Sequence, residues 1–130
     1  FAKRFAAQRI IHRADASAQP DAEIVLEGEA AISVHPEFTV IPTPGHTRGH
    51  CVLLHNDYLF SGDHLDFDRA AQSLAAWRSV CWYSWPKQLE SIEKLRQYDF
   101  SWILPGHGQR IRQSPAENKR QLDLIVRRAA

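Results

Sequence analysis

The sequence predicts an α/β fold. Short β-prone runs alternate with segments of helical spacing, Gly and Pro rather than flexible linkers punctuate the boundaries, and 44% of the 130 residues are hydrophobic, enough for a core. No repeat, low-complexity tract or Gly/Ser linker divides the chain, so residues 1–130 are expected to form a single domain.

The elements follow in order. Phe1 and Phe5 stand four apart around Lys3 and Arg4, as in the last turns of a half-buried helix reaching Gln8. Arg9 to His12 reads as a short buried strand, Ala14 to Pro20 as a small polar connection, and Glu23 to Leu26 as a strand running into a turn at Glu27-Gly28-Glu29. Phe38 to Ile41 is β-prone and ends at Pro42 and Pro44. Cys51 to Leu54 and Tyr58 to Phe60 bracket His55-Asn56-Asp57 and predict a hairpin. Leu65 to Ser79 is expected to be a loop with some helical content.

Ser84 followed by Pro86 begins a helix whose Leu89, Ile92 and Leu95 share one face. Phe100 to Leu104 is a strand, and Ser114-Pro115-Ala116-Glu117 has the pattern of a capping box opening a last helix toward Arg128. The chain contains no Met and opens at Phe1 as if inside a helix, from which we expect the natural protein to start upstream.

Charge excludes several partners. Sixteen Lys and Arg against fifteen Asp and Glu leave a formal net charge of +1, with no basic stripe for nucleic acid or an anionic membrane. No apolar run is long enough to cross a bilayer, and the first residues lack a secretory core. Cys51 and Cys81 have no Cys-x-x-Cys spacing, which fits the reducing cytoplasm better than a disulfide-bonded secreted domain.

Three segments share one design, in which a β-prone run enters a Gly-containing turn that displays His or Asp. They are Thr43-Pro44-Gly45-His46-Thr47-Arg48-Gly49-His50, Phe60-Ser61-Gly62-Asp63-His64 and Leu104-Pro105-Gly106-His107-Gly108. Glycine lets the backbone bend close to a ligand, and imidazole with carboxylate suits Zn²⁺. Each segment alone is more often a plain turn or cap.

Together and in this order, across about Phe38 to Gly108, they resemble the later motifs of the metallo-β-lactamase superfamily: Pro-Gly-His-Thr-x-Gly-His, Gly-Asp at a strand end, and Pro-Gly-His-Gly. The resemblance implies an αββα sandwich represented by its second half. It also implies metal ligands at His46, Asp63 and His107, with Asp63 bridging two ions and serving as the catalytic residue. One or two Zn²⁺ ions are expected, and Fe or Mn would also suit the ligands. The implied reaction is hydrolysis of an ester, thioester or related bond of a small-molecule substrate by metal-bound hydroxide. Thioesterases, lactonases, phosphodiesterases, nucleases and persulfide dioxygenases of the superfamily share these motifs.

The family's upstream His-x-His-x-Asp-His is absent, and no His-x-His occurs anywhere in the chain. His46 with Asp63, and Asp63 with His107, would give each ion two protein ligands where a catalytic zinc usually has three. The N-terminal part of the fold is therefore expected to be missing, and the chain alone to be inactive or nearly so. The rival from another class is a non-catalytic metal-binding module that self-associates through an unpaired sheet edge, as a homo-oligomer.

Other residues carry blander expectations. His50 should support the site rather than bind metal, and His64 should point away from Asp63 if the strand continues. His12, His35 and His55 read as structural. The aromatic run Trp77 to Trp85 could line a groove but is expected to pack against the sheet.

Overall fold

The structure is a computed structural model and describes residues 2–129. Its centre is a six-stranded sheet of β3 (Ile32–His35), β4 (Phe38–Pro42), β5 (Cys51–His55), β6 (Tyr58–Gly62), β9 (Trp102–Pro105) and β10 (Ile111–Arg112). The spatial order is β10-β9-β6-β5-β4-β3; every pair is antiparallel except β6 with β9, which run parallel. That parallel step requires a long crossover. It is made by a small antiparallel hairpin, β7 (Asp66–Asp68) with β8 (Ser73–Ala75), and the helix α2 (Trp85–Leu95). The helix α3 (Pro115–Ala129) follows β10.

Alternation along the strands sorts the sheet into two faces. Paired residues share a face, so Ile41, Val52, Leu59 and Ile103 stand together and form the buried core with Ile92 and Leu95 of α2, Leu122 of α3, and Phe100. The spacing of Leu89, Ile92 and Leu95 delivers the predicted α2, and Ser84 Oγ caps it by accepting from Lys87 N at 3.4 Å. Ser114 Oγ does the same for α3, accepting from Glu117 N at 3.1 Å. Between helices and sheet, Asn118 is fully buried, and its side-chain nitrogen donates to Phe100 O at 2.8 Å.

The second face carries Val40, Leu53, Phe60 and Leu104 in one row, and Phe38, His55, Tyr58 and Trp102 in another. Only part of it is covered. The strands β1 (Ile10–His12) and β2 (Ile24–Leu26) pair in parallel and lie over it, enclosing a cleft of about 430 Å³ lined by Ile10, Leu26, Val40, Leu53 and Phe60. Phe60 and Tyr58 remain 43% and 40% exposed.

The predicted strands and both long helices are present, with several differences; β1 is a strand but not a buried one, Ile10 being 39% exposed. The first helix, α1 (Ala2–Phe5), ends before Gln8 because Ala6 turns left-handed at φ 50°; Phe1 lies outside the described residues. The polar connection after β1 is a 3₁₀ helix, Arg13–Ala18, capped by His12 Nδ1, which accepts from Ala14 N at 3.2 Å. Leu65 to Ser79 is more than a loop: it holds β7 and β8, whose turn places Gln72 at φ 49°, with Phe67 and Leu74 buried in the core, and its helical content is confined to the start of a 3₁₀ helix, Arg78–Val80. The short strands β3 and β10 lie at the two edges of the main sheet and were not anticipated.

Candidate metal centre

Strand direction brings the three motifs together. β4, β6 and β9 all run the same way, because β4 and β6 are each antiparallel to β5 while β9 is parallel to β6. The segments that follow them, carrying His46, Asp63 and His107, therefore leave the same end of the sheet. There they line one cavity of about 320 Å³.

Two glycines make the approach possible. Gly62 turns left-handed at φ 54°, and a Cβ there would come within 2.9 Å of His50 Nε2; a Cβ on Gly106 would stand 2.8 Å from Asp63 Oδ1. Gly106 N donates to Gly62 O at 2.8 Å, locking the two loops together. Because the chain turns at Gly62, strand alternation does not continue through Asp63 and His64.

His46 is 7% exposed, and its Nδ1 lies 2.7 Å from the carbonyl oxygen of Val80. Donation from Nδ1 to that carbonyl leaves Nε2 as the free donor atom, the arrangement that commonly orients a metal-binding imidazole. Nε2 faces Asp63 Oδ2 at 3.6 Å. Two ligands about 2.0–2.2 Å from one tetrahedral ion stand roughly 3.3–3.6 Å apart, so this pair already has the spacing of a shared ion. His107 differs. Its side chain is 88% exposed, and its Nδ1 meets Asp63 Oδ1 at 2.7 Å, a direct hydrogen bond.

The residues fit a metal in kind and direction but not in number. Among the described residues, no three His, Cys, Asp or Glu side chains are grouped so as to hold an ion by themselves. His46 and Asp63 would hold one position and Asp63 with His107 the other, two ligands each.

The remaining histidines take supporting places. His50 Nδ1 is 2.9 Å from Thr43 Oγ1, and its ring stands edge-on to His46 at 5.8 Å and stacks on His64 at 5.4 Å. Burial, reinforced by the neighbouring His46, pushes the His50 imidazole down to about 4. His64 is fully buried and both ring nitrogens lack a hydrogen-bond partner, so burial holds it well below the usual histidine range, with His50 and His46 adding to the effect. His12, His35 and His55 stay outside the cavity; His55 stacks on Phe38 at 4.3 Å.

Three features of the site were not read from the sequence. Asp15, in the 3₁₀ helix, accepts from Gly49 N at 2.9 Å and from Thr47 Oγ1, fixing the His46–His50 loop from outside; nothing in its polar surroundings signals this. Asp66 lines the cavity and lies against Gly108, where a Cβ would collide with its carboxylate. Its position three residues after Asp63 is the signal that could have drawn attention.

The third is a correction. The aromatic run does not pack against the sheet: Trp77 and Trp82 line the cavity and are 44% and 78% exposed. The cause is a strap of backbone hydrogen bonds. Trp82 N donates to His46 O at 3.1 Å and Ser84 N to Gly45 O at 3.0 Å, while Cys81 Sγ lies 3.1 Å from Gly45 O. These bonds hold the segment on the His46 loop and leave its indoles facing outward.

No protein-family model matches the chain. Solved structures do. A metallo-beta-lactamase superfamily protein of the archaeon Sulfolobus tokodaii is 24% identical with a TM-score of 0.51, over 77% of this chain and 39% of that one. ETHE1 from Myxococcus xanthus is 22% identical with a TM-score of 0.65, over 96% of this chain and 54% of that one. The BLEG-1 B3 metallo-beta-lactamase is 20% identical with a TM-score of 0.67, over 95% of this chain and 68% of that one. The chain thus spans about two fifths to two thirds of the length of these structures. With a six-stranded main sheet, helices on one of its faces and the three motif loops at one end, it has the metallo-β-lactamase fold, as the second half of the αββα sandwich.

Proposed function

We propose that the chain supplies half of the metal centre of a metal-dependent hydrolase that cleaves an ester, thioester or related bond in a small-molecule substrate. The observation that carries this reading is the convergence of His46, Asp63 and His107 from three separate loops, with His46 Nε2 left free and 3.6 Å from Asp63. Zinc is the expected ion, with iron or manganese also compatible with the ligands. When bound, such an ion polarises the scissile bond and acidifies water. The chain's own part is to present Nε2 of His46 through the Val80 carbonyl, to hold Asp63 between the two histidines, and to line the approach with apolar side chains.

With two ligands per position, the chain by itself is inactive or nearly so, and the remaining ligands come from elsewhere in the whole protein. The neutral charge balance favours a small-molecule substrate over nucleic acid. Among the described residues, no helix is long and apolar enough to cross a membrane. Cys51 and Cys81, both free thiols, favour a cytoplasmic setting.

The deciding experiment is the metal content of the purified chain after dialysis against buffer, compared with Asp63→Ala and His107→Ala. Near-stoichiometric metal that falls in both variants supports the reading. Metal retained equally by all three overturns the assignment of these ligands. A second reading, a self-associating module without catalysis, is favoured by the uncovered sheet face at Phe60 and Tyr58. A concentration-dependent dimer in sedimentation would support it, and a monodisperse monomer would count against it.

A further inference from the structure

We infer that Trp82, with Trp77 and Val80, forms an apolar shelf that selects substrates bearing an apolar group close to the scissile carbonyl. This rests on the hydrolase reading above and adds the substrate class. Three observations support it. The first is exposure without freedom: Trp82 is 78% exposed, yet its backbone is hydrogen-bonded to His46 and its neighbours to Gly45. An indole whose backbone is fixed so that the ring stays in water gives up the benefit of burial, and ligand contact would restore it.

The second is continuity. Trp77, Val80, Leu65 and Ala76 line the same cavity as His46, Asp63 and His107, so one apolar wall runs into one polar end. Its volume, about 320 Å³, is at the small end for a ligand site. The third is distance. The Trp82 ring centroid is 4.7 Å from that of His46. A carbonyl or carboxylate directed at the His46–Asp63 pair would therefore bring the first carbons attached to it, rather than a remote tail, onto the indole. The preferred substrate is a small acyl compound with an alkyl or aryl group near the reacting carbon, not a highly polar one.

The test is a binding series on the intact chain, with acetate, butyrate, hexanoate and octanoate titrated by NMR in the absence and presence of zinc chloride. The indole N–H resonances of Trp77 and Trp82, which line the same cavity and are assigned by their loss in Trp77→Phe and Trp82→Phe, report the site, and Trp77 alone reports it in Trp82→Ala. Affinity should rise with chain length by about twofold per methylene, half the logarithmic gain of full burial. Trp82→Ala should flatten that rise, whereas Phe60→Ser, on the far face of the sheet, should leave it unchanged. Because Trp82 is so exposed, its removal should not unfold the chain.

A slope that survives in Trp82→Ala, a slope lost in Phe60→Ser instead, or no binding of any acid overturns the shelf. Zinc that strengthens every acid equally, without a slope, would sustain the metal reading while removing the shelf. A Trp82-dependent slope that zinc does not touch would sustain the shelf and count against the metal reading.

Discussion

The two faces of the central sheet are made of similar residues and end in different states. On one, Ile41, Val52, Leu59 and Ile103 are all at most 1% exposed, because α2 and α3 close over them. On the other, Phe60 and Tyr58 are 43% and 40% exposed, and among the described residues the β1–β2 pair lies across part of the face. Hydropathy is thus matched on the two sides and burial is not. A strand that is apolar on both faces belongs to a buried sheet, and the second face has the composition for another layer, as the αββα fold implies. Stability in this chain should come almost entirely from the helix side.

The largest test of that asymmetry is on the closed side. Phe100→Ala, at a side chain 1% exposed, should lower the unfolding free energy by about 3–5 kcal/mol, read from urea denaturation. A loss below about 1 kcal/mol would mean that the helix layer is not the source of stability.

Acid should act next. His50 is held down to about 4 and His64 well below the usual range, so the fold keeps both rings neutral while the unfolded chain protonates them near 6.5. Folded values below unfolded ones mean that stability is intact above about pH 6.5 and is lost as pH falls from there through about 4. His50 alone should account for on the order of 3 kcal/mol by pH 4. A melting temperature flat between pH 7 and 4.5 would contradict this.

The smallest effect belongs to the open face. Phe60→Ser should change stability by no more than about 0.5–1 kcal/mol while reducing dye binding and aggregation. A loss comparable to that of Phe100→Ala would show that the face is covered in solution, by a second copy for instance, and would erase the asymmetry.

The closed side was also the more legible in the sequence. α2 and α3 announce themselves through Ser84 with Pro86, Ser114 with Pro115, and apolar spacing, all local signals. β7 and β8 did not, because their apolar residues Phe67 and Leu74 are isolated among Asp, Arg, Gln and Ser, and the core rather than periodicity decides their conformation. In the site, His46, Asp63 and His107 were readable from their glycine-flanked motifs, and the structure brings them to one cavity. Asp15 and the orientation of Trp82 were not, since each depends on backbone hydrogen bonds to residues more than thirty positions away. Local sequence carries no record of such partners.

The parallel pairing of β6 with β9 has a kinetic side. Asp63 and His107 meet only after the chain between them has folded back through β7, β8 and α2 to set β9 beside β6. Contacts that close so large a loop form slowly compared with hairpins such as β5–β6. The Asp63–His107 hydrogen bond therefore marks the closing of this crossover: on a ribosome it cannot form until the chain has emerged past residue 107.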